Sequence, residues 1–174
     1  MPRPEHAPEL VVLLDEAGAA VGSAPKTEVH GRVTPLHLAF SCYLLDGAGD
    51  VLVTRRALTK PTWPGVWTNS FCGHPAPGEG IESAVARRAA EELAVGIASL
   101  RAALPDFRYR AVDAGGIEEN EICPVFLARA ECDVAPDPAE VAEWAWVRPE
   151  ALARAVTLAP FAFSPWMREQ LPRL

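Results

Sequence analysis

Cys72 lies two residues before His74 in the segment Trp63–Pro77, W-P-G-V-W-T-N-S-F-C-G-H-P-A-P. A thiol can carry a proton or attack as a thiolate, and burial and nearby charge decide which by setting its pKa. The rings and turn residues before Cys72 describe a shaped, poorly hydrated place, which suits a reactive thiol and an inert core cysteine equally. A second constellation is His30, His37, His74, Glu119 and Glu121. In a strand, Glu119 and Glu121 share one face while Asn120 points away, so the two carboxylates converge. They repel unless one is protonated or a cation bridges them, and neutral imidazoles nearby would complete a mixed nitrogen and oxygen shell. The competing reading is an ordinary solvated acidic edge.

Regular elements must hold these groups. The residue pattern predicts strands at Leu10–Leu14, Leu36–Leu45, Val51–Thr54, Phe107–Val112, Glu119–Arg129 and Glu143–Val147, with Ala19–Gly22 as a hairpin return. In the second of these, Leu36, Leu38, Phe40 and Cys42 share a face and His37 takes the other. Glu79–Val95 is expected as a helix, with Ile81, Ala84, Val85 and Ala89 as its apolar stripe, and one or two short helices follow Pro149 and Pro165. On the long helix Arg88 and Glu92 share one side and Arg87 and Glu91 an adjacent one, either as a solvated ion-paired face or turned toward a ligand.

The whole chain has 174 residues, about half of them apolar (49%), which suffices for one core and is too little for two ordinary domains. One domain over residues 1–174 is expected, with residues 1–9 as a disordered tail. A net charge of −7 without a Lys/Arg stripe argues against nucleic acid and for a small molecule. No run reaches the roughly 20 apolar residues of a membrane span, and M-P-R-P-E-H-A-P-E has no signal-peptide core, so a cytoplasmic monomer is expected. Cys42, Cys72, Cys123 and Cys132 show no CxxC spacing and read as free thiols.

Several segments carry a resemblance along most of the chain: Leu36–Ser41, Leu52–Leu58, Trp63–Asn69, Cys72-Gly-His-Pro75, Asp106–Arg110, Glu119-Asn-Glu121 and Phe163-Ser-Pro-Trp166. In these the chain resembles the type I isopentenyl-diphosphate isomerases of the Nudix superfamily. The resemblance implies an α/β (α+β) fold with a mixed β-sheet sandwiched between helices. It implies a divalent metal, Mn²⁺, Zn²⁺ or Mg²⁺, held by His30, His37, His74, Glu119 and Glu121. Cys72 and Glu121 would be the acid/base pair, Tyr109 would assist Glu121, and Trp166 would lie beside the reacting carbons. Lys26, Arg56, Lys60 and Arg88 would hold the substrate diphosphate, with Glu92 on a bridging Mg²⁺. Trp63 and Trp67 would line the prenyl pocket or support its loop, and Gly73 would let the backbone turn.

Departures from the superfamily box G-x5-E-x7-R-E-U-x-E-E-x-G-U, where U is apolar, sharpen the expectation. Gly73, Glu79, Arg87, Ala89, Glu91, Glu92 and Val95 match, but Arg88 stands where the box has Glu and Ala94 where it has Gly. A cation in place of a metal-binding carboxylate disfavours multi-metal hydrolysis and suits holding a diphosphate intact. The alternative is a Nudix diphosphohydrolase acting on a nucleoside-diphosphate derivative, for which Glu91 keeps one carboxylate of the hydrolase box.

Overall fold

The chain builds its elements in the order β1 (Leu10–Leu14), β2 (Ala20–Pro25), α1 (Lys26–Val29), β3 (His37–Leu38), β4 (Phe40–Leu45), β5 (Val51–Arg56), β6 (Trp67–Thr68) and β7 (Phe71–Gly73). There follow α2 (Ile81–Leu93), β8 (Ile97–Leu104), β9 (Arg108–Val112), β10 (Glu118–Ile122), β11 (Val125–Ala130), β12 (Val141–Val147), α3 (Pro149–Leu158) and α4 (Pro165–Gln170). This is a computed structural model that describes residues 9–174. The tail expected over residues 1–9 lies outside the described residues except for Glu9, whose carbonyl accepts from the Lys26 N–H at 2.7 Å.

Two sheets result, one ordered β2-β1-β3-β10-β9 and the other β12-β5-β4-β11-β8, with β6 on β5 and β7 on β4. Each contains one parallel pair, β3 with β10 and β4 with β11, among antiparallel neighbours. The two runs expected as single strands, Leu36–Leu45 and Glu119–Arg129, each divide and pass from the first sheet to the second. Pro124 supplies a local reason: it has no N–H for a ladder and holds Cys123 extended, so the pairing with β9 ends at the Cys123 N–H, which donates to the Phe107 carbonyl at 2.8 Å. The neighbouring chain bends with it, the Ala39 and Ser41 N–H groups donating to the carbonyls of Ile122 (3.0 Å) and Pro124 (3.1 Å).

Strand β4 is buried on both faces, as a central strand with a parallel neighbour should be. Phe40, Cys42 and Leu44 pack with Ala84, Val85, Ala89 and Leu93 of α2, whereas Ala39 and Tyr43 belong to a second core with Leu152 of α3 and Trp166 and Met167 of α4. Helices therefore cover both faces of the second sheet.

Helix α2 is shorter than the expected Glu79–Val95. It ends where Ala94 adopts φ 51°, ψ 37°, and the N–H groups of Ala94 and Val95 close the last turn on the Ala90 and Ala89 carbonyls. The alanine-rich Ile97–Leu104, unassigned from the sequence, is a strand because pairing with β11 overrides its local preference. Gly73 corrects another expectation. It lies in β7 and has no positive φ, and what it provides is space, since a Cβ there would lie 2.8 Å from Arg88 Cγ and from Phe40 Cζ.

Candidate active site

Strands β3 and β10 run side by side with His37 opposite Glu121, while His30 follows α1 and His74 follows β7. One ligand atom from each of His30, His37, His74 and Glu121 lies within 4.8 Å of all the others. His37 Nδ1 donates to the Pro35 carbonyl at 2.9 Å, which leaves Nε2 facing Glu121 Oε1 at 3.2 Å. That Nε2 is buried without a hydrogen bond, as is His74 Nδ1, among the described residues. Two electron pairs thus confront each other at His37 and Glu121 unless a proton or a metal cation lies between them. Three imidazoles and one carboxylate fit a divalent metal of the transition series, and these four could hold one. Burial pulls His30 and His74 below the usual imidazole value, toward the neutral form that binds metal.

Glu119 is not one of that mutually close group. It shares the buried face of β10 with Glu121, as the strand alternation requires, but its carboxylate bonds to the Tyr109 hydroxyl. The same hydroxyl donates to Glu121 Oε2 at 2.9 Å. The register of β9 on β10, with Tyr109 opposite Glu121, creates this arrangement. Burial raises both carboxyls, but the His37 and His74 imidazoles held against Glu121 outweigh it there and keep that carboxyl well below the usual range. Glu119 stays raised by burial and by the Glu121 charge. A tyrosine hydroxyl has one proton, so a neutral Glu119 can donate to Tyr109 while Tyr109 donates to ionised Glu121.

From the second sheet, β7 presents Cys72 opposite Ser41 of β4. The thiol donates to Asn69 Oδ1 at 3.4 Å and lies 3.5 Å from Ser41 Oγ, and burial pushes its pKa up to about 12. Cys72 is therefore a neutral thiol at neutral pH, which argues against thiolate attack. Asn69 is buried, and its Oδ1 also accepts from Thr68 Oγ1 (2.8 Å) and Trp166 Nε1 (2.9 Å). Its amide nitrogen donates to the Cys42 (3.0 Å) and Phe71 (2.8 Å) carbonyls, so the amide cannot turn over. One carbonyl oxygen thus fixes both the thiol and the tryptophan. Trp166 stands on α4, a helix started by Ser164 Oγ accepting from the Met167 N–H.

His30, His74, Cys72, Tyr109, Glu119, Glu121 and Trp166 line one cavity of about 320 Å³ together with Lys26, Arg56, Lys60, Arg88, Glu92 and Glu140. Each cation already has a partner. Lys26 pairs with Glu9 at 3.0 Å, Lys60 with Glu140, and Arg88 with Glu92 and with Glu91 at 2.9 Å. Arg56 donates to the carbonyls of Thr62 (2.8 Å) and Trp63 (3.1 Å) and stands 5.7 Å from the centre of the Trp166 ring. Arg88 keeps a buried Nε with no partner among the described residues. Glu92, expected beside a Mg²⁺, is engaged here with Arg88. Neither Trp63 nor Trp67 lines the cavity. Trp63 instead meets Trp166 edge to face, their ring centres 6.1 Å apart, and so supports the loop.

The solvated reading of the helix charges holds for Arg87 and Glu91 but not for Arg88 and Glu92, which are buried. Arg87 is structural: it binds Glu79 through Nε (2.8 Å) and reaches the His74 carbonyl (3.3 Å), tying a candidate ligand to α2. Sequence reasoning missed Asn69, Ser41 and Glu140. Asn69 stood inside the singled-out segment, and its type beside a thiol was the available signal. Ser41 and Glu140 reach the site only through strand register and carried none.

A family model described as NUDIX domain matches residues 35–174. The Isopentenyl-diphosphate Delta-isomerase of Mycolicibacterium vanbaalenii (strain DSM 7251 and its synonyms) is 60% identical over 174 residues, covering 100% of this chain and 95% of that protein. The protein of the same name from Clavibacter michiganensis subsp. michiganensis (strain NCPPB 382) is 60% identical, covering 98% and 88%. Among solved structures, DR0079 from Deinococcus radiodurans superposes with a TM-score of 0.73 at 22% identity, covering 95% of this chain and 98% of that one, a likeness of fold.

Proposed function

The chain belongs to the NUDIX domain family and, within it, to the isopentenyl-diphosphate Delta-isomerases, and we propose that the cavity between its sheets interconverts isopentenyl and dimethylallyl diphosphate. The enzyme moves a double bond by adding a proton at one carbon and removing one from another. An alkene is a weak base and an allylic C–H a weak acid, so the route passes through a tertiary carbocation formed and quenched inside the site. Two proton carriers are needed, and Cys72 and Glu121 are the pair we assign, the first a neutral thiol and the second an ionised carboxylate. Tyr109, hydrogen-bonded to Glu121 and Glu119, holds a proton beside the carboxylate and orients it. Trp166 faces the cation, where a ring contributes about 2 kcal/mol when desolvated. That is a fraction of the roughly 8 kcal/mol or more an enzyme supplies, so most of the acceleration comes from placing the proton carriers and excluding water.

His30, His37, His74 and Glu121 would hold a divalent metal, Mn²⁺, Zn²⁺ or Mg²⁺, with Glu119 behind them. Such a cation supplies positive charge that lowers the basicity of Glu121. Lys26, Arg56, Lys60 and Arg88 would receive the diphosphate, and Glu92 a Mg²⁺ accompanying it. Binding energy at the charged end then positions the uncharged prenyl tail. The observation that carries this reading is that the thiol, the carboxylate and the four cations line the same cavity. Cys72→Ala tests it. Isomer formation should vanish while pyrophosphate binding persists, and near-normal turnover would remove Cys72 from the reaction.

A further inference from the structure

We propose that Glu140 is a resident counter-anion of the diphosphate site, which holds Lys60 and Arg88 in place when the site is empty and which the substrate's phosphates displace. This rests on the diphosphate assignment above and adds a residue to it. Glu140 precedes β12, and the pairing of Val141 with Arg56, together with the Ala57 N–H donating to the Glu140 carbonyl at 3.0 Å, fixes it beside the loop that carries Lys60. One carboxylate oxygen contacts Lys60 Nζ, and the other lies 3.6 Å from an Arg88 terminal nitrogen. Glu140 and both cations line the cavity.

At this end Lys26, Arg56, Lys60 and Arg88 carry four positive charges, and Glu9, Glu92 and Glu140 return three negative ones. An isolated set of four cations would repel and splay. With the carboxylates present the cations are pre-positioned but nearly neutralised, so an entering diphosphate exchanges one set of charge-assisted bonds for another. Affinity is then lower than four unpaired cations would give, and the product's identical diphosphate can leave. Of the two carboxylates at Arg88 that line the cavity, Glu140 is the better suited to yield. It is partly exposed, whereas Glu92 is buried against Arg88.

Calorimetric titration of the metal-replete protein with inorganic pyrophosphate in Mg²⁺ buffer tests this. Glu140→Gln should bind pyrophosphate about tenfold more tightly than wild type. Glu143→Gln, which removes a charge that pairs with Arg55 outside the cavity, should bind as wild type does. Glu140→Ala, measured beside it and accepted only with a native near-ultraviolet spectrum, should also bind more tightly. In turnover, both Glu140 variants should show a lower KM and a kcat limited by slower release. Unchanged or weaker pyrophosphate binding in the Glu140 variants would overturn the proposal and make Glu140 a positioning or Mg²⁺-binding group. Failure of the wild type to bind pyrophosphate would instead overturn the diphosphate assignment beneath it.

Discussion

Asn69 concentrates the site's geometry in one atom, because the thiol and the tryptophan both donate to its Oδ1. We expect Asn69→Ala to lower kcat about 100-fold with little change in pyrophosphate affinity, since the loss is of orientation at the reacting end. It should also shift the S–H stretching band of Cys72 in the infrared, a change that a purely structural defect elsewhere would not produce. The raised pKa of Cys72 has its own consequence. At pH 8 iodoacetamide should label exposed Cys132 and spare Cys72, as read by peptide mass spectrometry, and equal labelling would show a thiolate at position 72. At the metal group, His37→Ala should lower the bound metal measured by elemental analysis. Because the imidazoles bind metal only when neutral, retention in the wild type should fall as the pH is lowered. Unchanged metal content in the variant would remove His37 from the ligand set.

Helix α2 ends in a local conflict that a substitution can relieve. Ala94 sits at φ 51°, where a Cβ is disfavoured by about 1–2 kcal/mol, partly offset by the conformational freedom a glycine loses on folding. Ala94→Gly should therefore stabilise the fold by about 0.5–1 kcal/mol, raising Tm by about 1–4 °C, and a lower Tm would show that the cap is not strained. Gly73→Ala should do the reverse, because its Cβ would collide with Phe40 and with the Arg88 stem. The helix, the hairpins and the shared face of Glu119 and Glu121 were legible in the sequence because each follows from local spacing. The division of Leu36–Leu45 and Glu119–Arg129 between two sheets was not, since both halves of each run keep strand composition and only their partners change. Strand β8 was hidden by alanine, a helix former that long-range pairing overrides.

Across the molecule, the bend shared by the two long runs explains why one cavity has two kinds of wall. The first sheet supplies Tyr109, Glu119 and Glu121, with His37 buried beside Glu121, the second supplies Cys72, and the loops and helices at the rim supply the cations and Trp166. No described helix is long and apolar enough to cross a membrane. Much of this site was legible through the resemblance, while Glu140 and Ser41 were not, because their roles depend on contacts between residues remote in sequence. The two sheets meet at the candidate metal group, so removing the metal with a chelator should lower Tm as well as activity, and an unchanged Tm would place the metal elsewhere. The central claim is that this cavity moves protons on carbon and leaves the diphosphate whole. Incubation of isopentenyl diphosphate with the enzyme in D₂O tests it most directly by mass spectrometry and phosphate assay together. The account predicts deuterium in the recovered substrate and in dimethylallyl diphosphate with no phosphate released. Release of phosphate without isomer or deuterium incorporation would contradict it.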